Sequence, residues 1–192
     1  MALLSLETRK RYFTKLGFGA YNEKNIRKLQ KQYLRPQDVD GIYGRDTDYL
    51  LRHIYNVTVH SKNFKPEEFK CECGGRYCTG YPNYMKSNQM KHLQRIRDHW
   101  DQPMIITCGL RCKRYNAELS GSGSIQNSKH LYGQATDFYQ RGVTDTLAHR
   151  KNAIRWIKKQ PNHTYSYGDG INSFGNYVSA IYMGNALHTD TK

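Results

Sequence analysis

His130 and Asp137 stand seven residues apart in Ser128-Lys129-His130-Leu131-Tyr132-Gly133-Gln134-Ala135-Thr136-Asp137, with a glycine and small residues between them. Far downstream, His188 and Asp190 sit in Leu187-His188-Thr189-Asp190. Two imidazoles and a carboxylate are a donor set for a hydrolytic zinc ion, which keeps one position open for water. Each donor must present an unprotonated nitrogen or oxygen at about 2.0–2.2 Å. A Ser-x-His and a remote His-x-Asp also arise by coincidence in an arbitrary chain, so spacing alone leaves both readings open.

The elements around these residues decide whether they can meet. Ala135 to Tyr139 reads as a strand, which puts Asp137 on it and His130 in the preceding loop. Gly133 permits a sharp turn between them, and Ala135 leaves room beside Asp137. Ala186 to Thr191 reads as a final short strand, so His188 on an antiparallel neighbour would complete three donors. Asp190, two residues on, shares the face of His188 and is a candidate general base or a partner that orients the imidazole; Asp169 is held in reserve. Pro103 to Cys108 is an apolar run ended by Gly109 and reads as a buried strand. Arg111 follows, where a guanidinium can clamp a carboxylate with two parallel hydrogen bonds. Gly121, Ser122, Gly123 and Ser124 read as a flexible loop leading to Ser128.

Further elements frame this core. Met90, Leu93, Ile96 and Trp100 mark one face of a helix from near Ser87, with Trp100 inward. A helix from a cap at Thr144 or Asp145 to about Gln160 turns Leu147, Ile154 and Ile157 inward, and Pro161 stops it. His149 and His163 read as surface histidines, and Tyr177 to Met183 as strand-like ahead of a turn at Gly184-Asn185. Upstream, Ile26, Leu29 and Tyr33 define a helix over Glu23 to Tyr33 capped by Asn22. Tyr49, Leu50, His53 and Ile54 define a second behind a cap at Asp46, with His53 packed inside. Asn56 to Lys65 is polar and aperiodic and reads as a linker. A new unit opens at Phe64, where Glu67 and Glu68 suit a first helical turn after Pro66. The expected fold class is α+β: a small helical domain over residues 1–57, then an α+β domain with an antiparallel sheet over residues 58–192.

A net charge of +14 implies an anionic partner or environment. Without a dense Lys/Arg block, a nucleic-acid arm is disfavoured and a polyanionic cell wall fits better. No apolar run approaches the roughly 20 residues that span a bilayer, so no membrane insertion is expected. The start, Met-Ala-Leu-Leu-Ser-Leu-Glu7, is too short for a secretory apolar core. Five cysteines do not suggest a complete disulfide framework. A structural zinc on Cys71, Cys73 and Cys78 would need a fourth ligand, and no C-x2-C pair repeats. Free or partly paired thiols near the surface are therefore expected.

Two stretches carry resemblances. Leu29-Gln30, Val39-Asp40-Gly41-Ile42-Tyr43-Gly44 and Thr47 resemble the repeat core of the peptidoglycan-binding domain family of bacterial and phage wall hydrolases. Ser128-x-His130-x-x-Gly133-x-Ala135-x-Asp137 with His188-x-Asp190 is similar to the zinc D-Ala-D-Ala carboxypeptidase family, which shares its fold with hedgehog signalling domains. The likeness extends through Phe64 to Cys73, Pro103 to Cys112 and Asn116. It implies His130, Asp137 and His188 as Zn2+ ligands, and Arg111, with Ser128 in the same motif, as contacts to the substrate carboxylate.

One position departs from the resemblance: many relatives carry Asp or Glu three residues before the last zinc histidine, where this chain has Asn185. Asp190 is then the nearest carboxylate in sequence for the catalytic role. The resemblance implies a metallopeptidase that cuts peptide bonds in peptidoglycan stem peptides or cross-links, as a carboxypeptidase or endopeptidase. It would be a monomeric endolysin, made in the cytoplasm and released to the wall through a holin-type pore. The competing expectation is a non-catalytic, zinc-stabilised wall-binding protein.

Overall fold

The computed structural model describes residues 2–119 and 126–192, so the Gly121–Ser124 stretch lies outside the described residues. Three helices come first: α1 (Leu6–Lys15), α2 (Glu23–Tyr33) and α3 (Arg45–His60). There follow α4 (Ser87–Trp100), β1 (Met104–Cys108), α5 (Lys113–Glu118), β2 (Ala135–Gln140), α6 (Leu147–Ile157), β3 (His163–Gly168), β4 (Ile171–Asn172) and β5 (Leu187–Thr191). The fold is α+β, as expected, with one antiparallel sheet in the order β1-β2-β5-β3-β4. Among the described residues no helix is long and apolar enough to cross a membrane.

A buried amide organises the N-terminal helices. Gln30 is 1% exposed. Its Nε2 reaches Asp40 Oδ1 (2.7 Å), Thr47 Oγ1 (3.0 Å) and the Ile42 carbonyl (3.2 Å), while its Oε1 accepts from the Gly41 N–H (2.8 Å). Asp40 Oδ1 also accepts from the Ile42 N–H at 2.9 Å. The Gln, Asp-Gly and Thr of the sequence motif are thus one hydrogen-bonded hub closing the loop between α2 and α3.

The boundary region differs from its sequence reading. Asp46 is not the cap of α3; Gly44 is, and Asp46 lies in the first turn, where a carboxylate meets the positive end of the helix dipole. The expected linker is helical as far as His60, because Val57 is fully buried and Ser61 caps the carbonyl of Val57 through its hydroxyl at 2.6 Å. A boundary between residues 57 and 58 therefore falls inside α3. That helix packs on α4 and on the 3-10 turn Pro66–Phe69. His53 is packed, as expected: Nδ1 accepts from the Met85 N–H (3.3 Å) and Nε2 donates to the Pro66 carbonyl (2.8 Å). One apolar cluster runs from Phe13 and Leu29 through Leu50, Phe69 and Met90 to Phe138 and Leu187.

Five other readings are corrected. Strand β1 is an edge strand with Ile105 59% exposed, not a buried strand. Helix α6 is capped by Thr146, whose hydroxyl accepts from the His149 N–H. Thr144 and Asp145 are engaged earlier: the Thr144 hydroxyl accepts from the Gln140 N–H, and Asp145 accepts from the Gly142 N–H and the Tyr139 hydroxyl. Leu147, at the helix start, faces solvent. His163 is half-buried on β3 and bonds Ser166 Oγ at 2.9 Å. Tyr177–Met183 is no strand but a loop ending in a 3-10 turn (Ile181–Met183), pinned where Asp169 Oδ1 accepts from the Ala180 N–H.

Candidate metal centre

Strands β2 and β5 pair so that Asp137 lies directly opposite His188. On β5, Leu187 and Thr189 turn to the helix side, where Gln89 of α4 donates to the Thr189 carbonyl and His92 bonds its hydroxyl. His188 and Asp190 consequently share the other face. His130 arrives from a 3-10 turn, Lys129–Tyr132, capped by Ser128. The turn closes on Gly133 at φ +66°, where an added Cβ would stand 2.0 Å from the Tyr84 carbonyl oxygen, so only glycine fits.

The three side chains converge. His188 Nδ1 lies 2.7 Å from Asp137 Oδ1, and His130 Nε2 lies 3.4 Å from both. All three residues are buried. His130 Nδ1 donates to the Gly109 carbonyl at 2.7 Å, which fixes the tautomer and turns an Nε2 lone pair to the centre. Gly109 can approach because a Cβ there would meet Phe69 Cα at 2.6 Å. Arg111 Nη2 lies 3.2 Å from Asp137 Oδ2, and its Nε donates to Cys108 Sγ at 3.0 Å.

Electrostatics draw positive charge to this point. Burial pushes the Asp137 carboxyl up, but His130 and His188 outweigh it and hold the group far below the usual carboxylate range. Burial lowers the His130 pKa, so that imidazole stays neutral. Burial also disfavours a charged His188, yet Asp137 and Asp190 push its pKa up to about 9. His130 Nε2, His188 Nδ1 and Asp137 Oδ1, all within 3.4 Å of one another, fit a divalent cation with nitrogen and oxygen ligands at about 2.0–2.2 Å, which would displace the proton His188 shares with Asp137. Cys108 is also close, but its sulfur lies 3.6 Å from His130 Nδ1, the nitrogen already bonded to Gly109. Burial keeps that thiol protonated.

The peptidase M15 profile matches residues 62–171, more than half of the chain. The chain belongs to the peptidase M15 family. The matched stretch contains Arg111, His130 and Asp137, while His188 and Asp190 follow it. M15 peptidases are typically zinc-dependent, in keeping with this donor set. No curated protein matches the chain.

The remaining sequence candidates take defined places. The Ser128 hydroxyl is buried and accepts from the His130 N–H, which makes it a turn cap. Asp190 stands behind His188: Oδ2 lies 3.5 Å from Nε2, the ring nitrogen facing away from His130, and Oδ1 accepts from the Thr164 hydroxyl. From there it orients the imidazole. Burial raises the Asp190 pKa, but His188 and Thr164 prevail and lower it. Asn185 is exposed on the loop before β5.

Sequence reasoning missed the Gly109 carbonyl, Thr164, Tyr167 and Glu72. The Tyr167 ring stacks on His188 with centroids 4.7 Å apart. Glu72 lies at the surface between Cys71 and Cys73, and its pKa is raised by burial and by Asp137, with Arg111 opposing. Its placement depends on a distant chain crossing, so no local pattern marks it.

Proposed function

We propose that the chain is a zinc peptidase that hydrolyses peptide bonds in bacterial peptidoglycan stem peptides or cross-links, held at the wall by its N-terminal helices. The convergence of His130 Nε2, Asp137 Oδ1 and His188 Nδ1 in an M15 domain carries this reading. A zinc ion bound by these residues supplies Lewis acidity and a water acidified toward neutral pH. Arg111 orients Asp137 through their 3.2 Å contact, and its charge favours substrates ending in a carboxylate. In this reading Glu72, an exposed carboxylate whose pKa is raised by burial and by Asp137 with Arg111 opposing, is assigned the proton transfer between water and the leaving amine. Tyr167, stacked on His188 and with its hydroxyl 3.4 Å from that of Tyr182, forms one wall.

The N-terminal part supplies affinity in this reading. A groove of about 500 Å³ opens beside the Gln30 hub, lined by Leu34, Asp40, Ile42 and Thr47. Ile42 is 66% exposed there, which suits an apolar contact to a wall fragment. Binding would raise the enzyme's local concentration on an anionic wall, consistent with the +14 charge and a lytic, endolysin role. The test is mass spectrometry of purified peptidoglycan treated with zinc-loaded protein and with His130→Ala. New stem-peptide termini made by the first alone support the proposal. Bound zinc and wall retention without cleavage would instead establish the non-catalytic reading that exposed Asn185 suggests.

A further inference from the structure

A second cluster of metal donors lies outside the site just described. Cys71, Cys73, Cys78 and Cys112 bring their sulfurs within 4.8 Å of one another. Cys73 and Cys78 are 3.5 Å apart. Tetrahedral zinc–sulfur bonds of about 2.3 Å place neighbouring sulfurs about 3.8 Å apart, so the spacing suits one ion at the middle. Cys71, Cys73 and Cys112 are buried, against the expectation of surface thiols. The missing fourth ligand of the sequence is Cys112, delivered by the turn after Arg111.

Backbone donors already face this cluster as they would thiolates. The Cys112 N–H points to Cys71 Sγ at 3.3 Å, and the Tyr115 N–H to Cys112 Sγ at 3.5 Å. Four thiolates around a divalent cation leave two negative charges, and arginines surround them. Arg35 Nη1 donates to the Gly75 carbonyl at 2.6 Å, and Arg76 Nε to the Cys73 carbonyl at 3.1 Å. Arg114 stacks over Tyr77, which packs against the sulfurs. All-sulfur donation selects a soft or borderline ion over calcium or magnesium.

We propose that Cys71, Cys73, Cys78 and Cys112 form a tetrathiolate site that takes a structural zinc ion, separate from the His130–Asp137–His188 centre. With four protein ligands it has no position left for water, so it acts as a staple. It ties the segment after Phe69 to the segment after Gly109, already joined where the Leu110 N–H donates to the Phe69 carbonyl at 2.9 Å. Glu72 and Arg111 sit next to its ligands in sequence, so the staple restrains both, and Arg111 in turn lies 3.2 Å from Asp137.

The experiment is metal analysis of full-length protein purified under reducing conditions, alongside a His130→Ala/His188→Ala double variant. The double variant is expected to retain one zinc per chain, released in step with titration of the thiols by a mercurial reagent. Cobalt in its place should give an intense thiolate charge-transfer band. Loss of all zinc in the double variant, iron in its place, or a Cys73–Cys78 disulfide would each overturn the proposal. Because the cysteines stay intact throughout, misfolding of a cysteine variant cannot be mistaken for loss of the site.

Discussion

Two buried polar clusters, one in each half of the chain, are built to opposite ends. Around Gln30 the amide, Asp40, Gly41 and Thr47 satisfy one another with paired donors and acceptors. Around His130 the atoms at the centre are two imidazole nitrogens and a carboxylate oxygen, and their second atoms are the ones held by neighbours: Gly109, Arg111 and Asp190. The first network is complete as protein. The second is organised from outside inward, with its metal-donor atoms turned to a common focus. A buried polar cluster is structural when its hydrogen bonds close, and points to a metal ion when its inward atoms are all of the types that ligate metals.

Breaking each cluster sharpens the contrast. His130→Ala should lower peptide hydrolysis on the order of 10³-fold, the several kcal/mol a catalytic metal supplies, with little change in urea stability measured without metal. Gln30→Ala should do the reverse. Leaving Asp40, Gly41 and Thr47 without their partner should cost about 3 kcal/mol in urea unfolding, while turnover of a small soluble peptide stays unchanged. Asp190→Asn is expected to lower zinc affinity or activity about 10- to 100-fold, read by competition with a chelator, because it loosens His188 without removing a ligand.

The smallest effect separates packing histidines from those at the centre. His53 is wholly buried and neutral, its pKa lowered by burial to about 4. An unfolded His53 takes up a proton near pH 6.5, whereas the folded one does so only near pH 4, so its contribution is full above 6.5 and declines as pH falls toward 4. Between pH 7.5 and pH 5 it should account for a loss of about 2 kcal/mol in urea unfolding. His53→Gln should flatten that part of the profile. An unchanged slope in the variant would assign the acid sensitivity to other groups, such as His92.

The legible parts of this molecule were those whose chemistry is local. Helix α2 with its Asn22 cap, helix α4 and strands β2 and β5 follow from apolar periodicity and turn residues over short windows. Strand β3 was missed because its inward residue, Ser166, is polar and buried against the Thr189 hydroxyl, so no apolar alternation marks it. Helix α1 went unread although Ser5 caps it, because Phe13 is its one buried residue. At the centre, the donor residues could be named from type and spacing. That Asp190 lies behind His188, and that Cys112 completes a group with three cysteines far upstream, depends on register and chain crossing instead.

Zinc stoichiometry and wall digestion measured together on one preparation test the central claim most directly. The account predicts that zinc-loaded protein releases stem-peptide fragments from purified peptidoglycan, that chelation abolishes the release, and that zinc restores it. Undiminished digestion by protein stripped of metal, or by His130→Ala, would contradict it.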